Sequence, residues 1–322
     1  MPRARSNLQP SVKKQRATHE ELREWAGALQ FAFVEALPQV TGWTPQQAIF
    51  HGGTSLAMCW HSPRFSEDLD FLLDEAIADD PAQLDSLFAK VLARMREVLV
   101  LTHPKLHIEM REKSRDARGR IRRHFVATQD DRFERSMMQV EMLGVSRAYL
   151  QGIDATYAFP MRAGDVITRS VTEIPVATQR ALLADKIAAI SMREEVKWRD
   201  IFDLHLLLGR DPEPIGEQAQ RFVFHSQAYQ GATRSSPRDA LAGWLAQHST
   251  PAGRAALVEL SQTDLKRWLP APLWSTLWPS GIARMVDTVC RHLQQVVHEL
   301  DSATTQTETP PIRRRRTRQR GG

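Results

Sequence analysis

Apolar residues recur at helical spacing through Leu22, Trp25, Ala26, Leu29 and Phe33, a stripe that buries one face of a helix. Thr18 and Glu21 stand before it as a T-x-x-E capping box, so the pattern predicts a helix from Thr18 that Pro38 ends. Ala48-Ile49-Phe50 is a short apolar run leading into Gly52-Gly53, which reads as a strand and a tight turn, with a helix starting at Thr54. Asp68-Leu69-Asp70-Phe71-Leu72 alternates as a second strand. Residues 81–100 carry Leu84, Leu87, Phe88, Val91, Leu92, Met95 and Val98 on one helical face. Three more strands are predicted at 105–112, 123–128 and 137–143, the first two forming a hairpin around 113–122.

After Thr178 the period becomes helical, with helices over about 178–194, 197–208 and 281–300. The proline-containing stretch 211–280 resists division. These patterns predict an α+β chain in four parts: a disordered basic segment 1–17, a mixed-sheet domain 18–165, a mostly helical domain 166–301 that completes a cleft with it, and a disordered Arg-rich tail 302–322.

Composition adds exclusions. Two cysteines, Cys59 and Cys290, stand far apart, and the eleven histidines show no zinc-binding spacing; a disulfide framework and a cysteine zinc site are not expected. No apolar run reaches the length of a membrane span, and the basic start lacks the apolar stretch of a secretory signal; a cytoplasmic protein without a membrane partner is expected. The net charge of +5 is compatible with a nucleic-acid partner. The basic residues of 113–123 read equally as a grip on RNA phosphates or as a solvated hairpin. Trp268, Trp274 and Trp278 read as packing residues rather than a base-stacking platform.

Chemistry concentrates in His51-Gly52-Gly53-Thr54-Ser55 and Arg64-Phe65-Ser66-Glu67-Asp68-Leu69-Asp70-Phe71. In a strand, residues i and i+2 share a face, so Asp68 and Asp70 project together while Leu69 and Phe71 turn to the core. Two adjacent carboxylates repel unless a cation lies between them, and Mg²⁺ prefers such hard oxygen ligands together with phosphate oxygens. Glycines allow close approach of backbone N–H groups to an anion, and a helix N-terminus beginning at Thr54 and Ser55 favours phosphate.

This string resembles the first motif of the polymerase-β-like nucleotidyltransferases, and more narrowly the AbiEii-type (MenT-like) toxins of type IV toxin–antitoxin pairs. Leu183-Ala184-Asp185-Lys186-Ile187-Ala188 and Arg199-Asp200-Ile201-Phe202-Asp203-Leu204 resemble that family's K-x-x-A and R-D-x-x-D-L motifs. The resemblance covers about 48–208. It departs where similar proteins often carry lysine, at His51 and Met58, which bears on triphosphate binding rather than on the acid pair.

The resemblance implies a polymerase-β-like fold and Mg²⁺-dependent transfer of a nucleoside monophosphate from an NTP, two Mg²⁺ being held by Asp68, Asp70 and a third carboxylate. Glu141, on a strand where Met138, Val140 and Met142 face the core, is preferred for that place, with Glu109 as competitor. Gly52, Gly53, Thr54, Ser55 and Lys186 would hold the triphosphate, with Asp200 and Asp203 beside it. Lys186 also reads as a lysine snorkelling from an apolar face, Asp200 and Asp203 as a structural network, and Ser66 as either a phosphate contact or the end of a turn. The family further implies a tRNA 3′ end as acceptor, a block of translation and an antitoxin encoded nearby. A protein or small-molecule acceptor, and a non-catalytic nucleotide- or RNA-binding module, are the rival readings.

Overall fold

The computed structural model describes residues 14–115, 120–162, 168–210, 213–229 and 235–308. The centre of the basic hairpin and most of both charged ends lie outside these residues. The described chain divides into two compact units. One comprises 1–182 with 263–276, the other 183–262 with 277–322.

The first unit runs through α1 (His19–Thr41), β1 (Ala48–His51), α2 (Gly52–Trp60), β2 (Asp68–Asp74), the single turn α3 (Glu75–Ala78), α4 (Pro81–Thr102), β3 (His107–Arg115), β4 (Arg120–Thr128), β5 (Arg135–Val145), α5 (Arg147–Gly152), β6 (Ala155–Ala158), β7 (Met161–Arg162), β8 (Thr168–Arg169) and β9 (Ile174–Ala177). Seven strands form one mixed sheet in the order β3-β4-β5-β2-β1-β9-β6. β2 runs parallel to β5 and β1 to β9; the other neighbours are antiparallel.

Alternation assigns the sheet's two faces. Leu69, Phe71, Met138, Val140, Met142, Ile121 and Phe125 are buried in one core cluster with residues of α1 and α4. Phe33 of α1 lies 6.1 Å from Phe71 and 5.5 Å edge-on to Phe125, while Phe50 of β1 stacks on Phe71 at 5.0 Å. The intervening residues of β2, β5 and β4 (Asp68, Asp70, Gln139, Glu141, Arg122 and His124) must therefore point to the other face. They are only half-buried.

Helix α1 starts where its capping box predicts. Thr18 Oγ1 accepts from the Glu21 amide at 3.1 Å, and Glu21 Oε2 from the Thr18 amide at 2.7 Å. It does not stop at Pro38. Proline there forfeits one backbone bond, and the helix continues to Thr41, ending at Gly42 in the left-handed region (φ 60°). The two glycines also differ from the expected free turn, because they are the first two residues of α2.

In the second unit, α6 (Gln179–Met192), which begins in the first unit, is followed by α7 (Trp198–Leu208), α8 (Ile215–His225), α9 (Pro237–His248) and α10 (Pro251–Asp264). α11 (Ala271–Leu277) belongs mainly to the first unit, and α12 (Ser280–Glu308) returns to the second. α12 packs on α7, α8 and α9. Trp198, Phe222, Val289 and Leu293 are fully buried here, and the Trp198 indole N–H donates to the Leu257 carbonyl at 2.6 Å.

The α+β architecture, a mixed sheet followed by helices, thus matches the sequence pattern. The boundary falls later than 165, because β9 is a sheet strand. Segment 263–276 rejoins the first unit, where the Phe65 amide donates to the Trp268 carbonyl at 2.7 Å. α12 extends beyond Ser302, where the tail was expected to start. No helix among the described residues is long and apolar enough to cross a membrane.

Candidate active site

The register places the acids side by side. Asp70 of β2 pairs with Glu141 of the parallel neighbour β5, and Asp68 with Gln139. On the other side Asp70 faces His51, the residue that precedes α2. Glu109 stands on β3, the far edge of the sheet, with two strands between it and β2. At about 4.8 Å per strand that is roughly 14 Å away. There it is exposed and ion-paired to Arg111 at 2.6 Å.

Helix α2 starts against the acids. Gly52 has φ +78°, and a Cβ on it would collide with the Asp70 carboxylate. Gly52→Ala should therefore cost roughly 1–2 kcal/mol for the left-handed backbone alone, and more for the clash. A loss of both melting temperature and activity checks this; a variant with unchanged melting temperature would count against it. A Cβ on Gly53 would meet the Arg64 guanidinium and approach Ser66 Oγ to 3.0 Å. Both glycines are thus required by close approach of side chains, Gly52 by Asp70 of β2 and Gly53 by Arg64 and Ser66 of the segment that enters it.

Thr54 and Ser55 are buried, and their hydroxyls donate to backbone: Thr54 to the Asp68 carbonyl and Ser55 to the Gly52 carbonyl at 2.9 Å. What the start of α2 offers an anion is its backbone N–H groups, which a helix leaves unpaired in its first turn. No side chain of residue 51 caps them.

Four residues to which the sequence reading gave no part in this site, Gln30, Arg64, Arg120 and Arg122, set its geometry. Gln30 of α1 donates to the Ser66 carbonyl at 2.8 Å and the Glu67 carbonyl at 3.0 Å, fixing the backbone that enters β2. Arg64 is buried against Gly53, with its Nη1 donating to the Phe65 carbonyl at 2.9 Å. Arg120 and Arg122, expected in a loop, are strand residues, and both reach Glu141: Arg120 to Oε2 at 2.9 Å, Arg122 to Oε1 at 2.8 Å. A single polar residue inside the apolar run Leu29–Phe33 was a readable signal for Gln30, and the i, i+2 spacing was one for Arg120 and Arg122. Nothing in the sequence marks Arg64 as buried.

Among the described residues no group of three or more His, Cys, Asp and Glu side chains converges to hold a metal ion. Asp68 and Asp70 share a face, but both oxygens of Glu141 are engaged, since Gln139 Nε2 also donates to Oε1 at 2.6 Å. The donor chemistry still suits a hard divalent cation, because the three neighbouring groups are all carboxylates.

Lys186, Asp200 and Asp203 belong to the second unit and form a buried cluster of their own. Lys186 Nζ lies 2.7 Å from Asp200 Oδ1 and 2.9 Å from Asp203 Oδ2, and Arg193 makes a further ion pair with Asp200. Burial opposes ionisation of Asp200, but the charges of Lys186 and Arg193 outweigh it and hold its carboxyl down at about 2. Beside them Tyr229 donates to Asp185 at 3.1 Å; burial, reinforced by the Asp185 charge, keeps that phenol protonated well above the ordinary range.

No curated protein matches the chain in sequence. Among solved structures it is similar to MenT4, the nucleotidyltransferase toxin Rv2826c of Mycobacterium tuberculosis H37Rv. The identity is 17%, covering 87% of this chain and 93% of that one, with a TM-score of 0.51. It is also similar to JHP933 of Helicobacter pylori at 16% identity over 92% of this chain and 100% of that one, with a TM-score of 0.47. The family described as "Nucleotidyl transferase AbiEii toxin, Type IV TA system" matches residues 44–272, well over half of the chain. With its acid pair set against a glycine-started helix, the chain belongs to the AbiEii nucleotidyltransferase toxins of type IV toxin–antitoxin systems.

Proposed function

We propose that this nucleotidyltransferase moves a nucleoside monophosphate from an NTP to the 3′ end of tRNA in an Mg²⁺-dependent reaction, and that the modified tRNA can no longer support translation. The observation that carries the reading is the register of Asp68, Asp70 and Glu141 on one sheet face, against the N-terminus of α2. Asp68, Asp70 and Glu141 would hold two Mg²⁺ ions, which supply charge neutralisation of the triphosphate and a lowered pKa for the acceptor hydroxyl.

The chain's own groups do the positioning. Backbone N–H groups of Gly52, Gly53 and Thr54 donate to triphosphate oxygens. The Thr54 hydroxyl ties α2 to β2, the Ser55 hydroxyl braces the first turn of α2, and together they hold those donors in place. Ser66, beside Gly53, adds a hydroxyl at the same edge. The acceptor's 3′-oxygen attacks the α-phosphorus, the bond to the β-bridging oxygen breaks, and pyrophosphate leaves with that electron pair. The hydroxyl proton passes toward the Glu141 carboxylate. Fixed charges and dipoles aimed at the reacting phosphoryl group supply most of the rate.

For Lys186, Asp200 and Asp203, the motif supports a part in holding the triphosphate, whereas their ion pairs support a structural part. A cognate antitoxin encoded nearby and a cytoplasmic location accord with this reading.

The test is incubation of the protein with total tRNA, Mg²⁺ and each α-³²P-labelled NTP in turn, with Asp68→Ala as control. Label on tRNA from the wild type alone is the expected result, and it names the donor. Absence of label from every tRNA, with label entering a protein or small molecule, would replace tRNA as the acceptor.

A further inference from the structure

Glu141 is bonded at both of its carboxylate oxygens. Arg120 and Arg122 stand two residues apart on β4, so both project from the same face toward β5, and Arg122 lies directly across from Glu141 in the antiparallel register. Each takes a different carboxylate oxygen. From the same side Gln139 donates to Oε1, and its own carbonyl oxygen is bound by His124 Nε2 at 2.7 Å. The Glu141 side chain is only 16% exposed, and the two arginines 34% and 30%. Their charges thus meet in a partly desolvated setting, where guanidinium–carboxylate bonds are strong. Both Glu141 oxygens already accept from a guanidinium, so a cation that reaches Glu141 competes with two fixed positive charges.

We propose that Arg120 and Arg122 are a gate on cation binding: they hold the third carboxylate as its resident counter-ions, and a divalent cation completes its site at Asp68 and Asp70 only by displacing them. This rests on the reading of the three acids as metal ligands. Arg120 and Arg122 are positioning residues, acting through Glu141. The gate has a chemical use. A cation arriving alone competes with two fixed positive charges. One arriving with a triphosphate brings anionic oxygens to which the released guanidinium groups can turn. The site therefore favours the metal–nucleotide complex over the bare ion.

The test is calorimetric titration of the full chain with Mg²⁺, and with Mn²⁺, in the absence of nucleotide. Wild type, Arg120→Gln, Arg122→Gln, Asp68→Ala and Arg111→Gln are compared, each checked for folding by its melting curve. Arg111 lies one strand further out and is paired with Glu109. Each arginine-to-glutamine change at 120 or 122 should tighten cation binding about fivefold, equivalent to about 1 kcal/mol. Arg111→Gln should leave it unchanged, and Asp68→Ala should abolish it. Because the two changes are separate, failure of one variant to fold leaves the other to decide.

Unchanged or weaker binding in the Arg120 and Arg122 variants, with wild-type binding still dependent on Asp68, would overturn the gate alone. Equal tightening by Arg111→Gln would overturn it in favour of a general charge effect. Cation binding by none of the proteins would overturn both the gate and the metal reading beneath it.

Discussion

Asp70→Asn is expected to lower nucleotidyl transfer by about three orders of magnitude, with the fold intact. The substitution keeps shape and volume and removes one charge. Asp70 is half-buried, borders the start of α2 and stands between His51 and Glu141 in the sheet. In the proposed reaction its carboxylate contributes charge where the triphosphate and its cations must be held, an interaction worth several kcal/mol in the transition state. The same change removes a like charge two residues from Asp68, and melting curves read its effect on stability apart from its effect on transfer. Asp68→Asn should behave alike. Single-turnover transfer from labelled NTP, set beside melting curves, separates the two effects. An Asp70→Asn protein with wild-type turnover would remove this acid from the chemistry.

Local patterning explains why so much of this region could be read in advance. The alternation in β2 and β5 is enforced by burial of Leu69, Phe71, Val140 and Met142. That fixes the opposite face for Asp68, Asp70 and Glu141 without knowledge of the neighbouring strands. The capping box at Thr18 and the apolar stripe of α4 are equally local signals. What escaped the sequence depends on distant partners. Nothing near Glu141 in the chain says that Arg120 and Arg122 lie across from it, because strand register is settled by the whole sheet. The sheet's seventh strand and the return of 263–276 to the first unit are of the same kind. Pro38 was misread for another reason. A proline in a helix's last turns costs little when the helix ends four residues later at a left-handed glycine.

Lys186→Met is expected to destabilise the protein by about 3–5 kcal/mol, the usual cost of stripping the cation from a buried ion pair. The Lys186 side chain is 6% exposed, Asp200 2% and Asp203 0%, so water cannot replace the ammonium. Arg193 would still serve Asp200. Acid should expose the same cluster. Asp200 is held at about 2 against an ordinary 3.8, a folded-state value below the unfolded one. Its contribution is therefore complete above pH ~4 and fades as pH falls toward ~2, to the extent of about 2 kcal/mol. In Lys186→Met that loss should begin at higher pH, because one of the charges that keeps Asp200 ionised is gone. Adding Asp203→Leu should restore part of the stability, since it removes one of the two buried carboxylates that share the Lys186 ammonium. Denaturant unfolding of the two variants from pH 2 to 7 measures all of this. The result also decides between the two readings of Lys186. A variant that melts like the wild type but no longer transfers nucleotide would make the lysine a triphosphate ligand rather than the cation that permits two acids in a helical core.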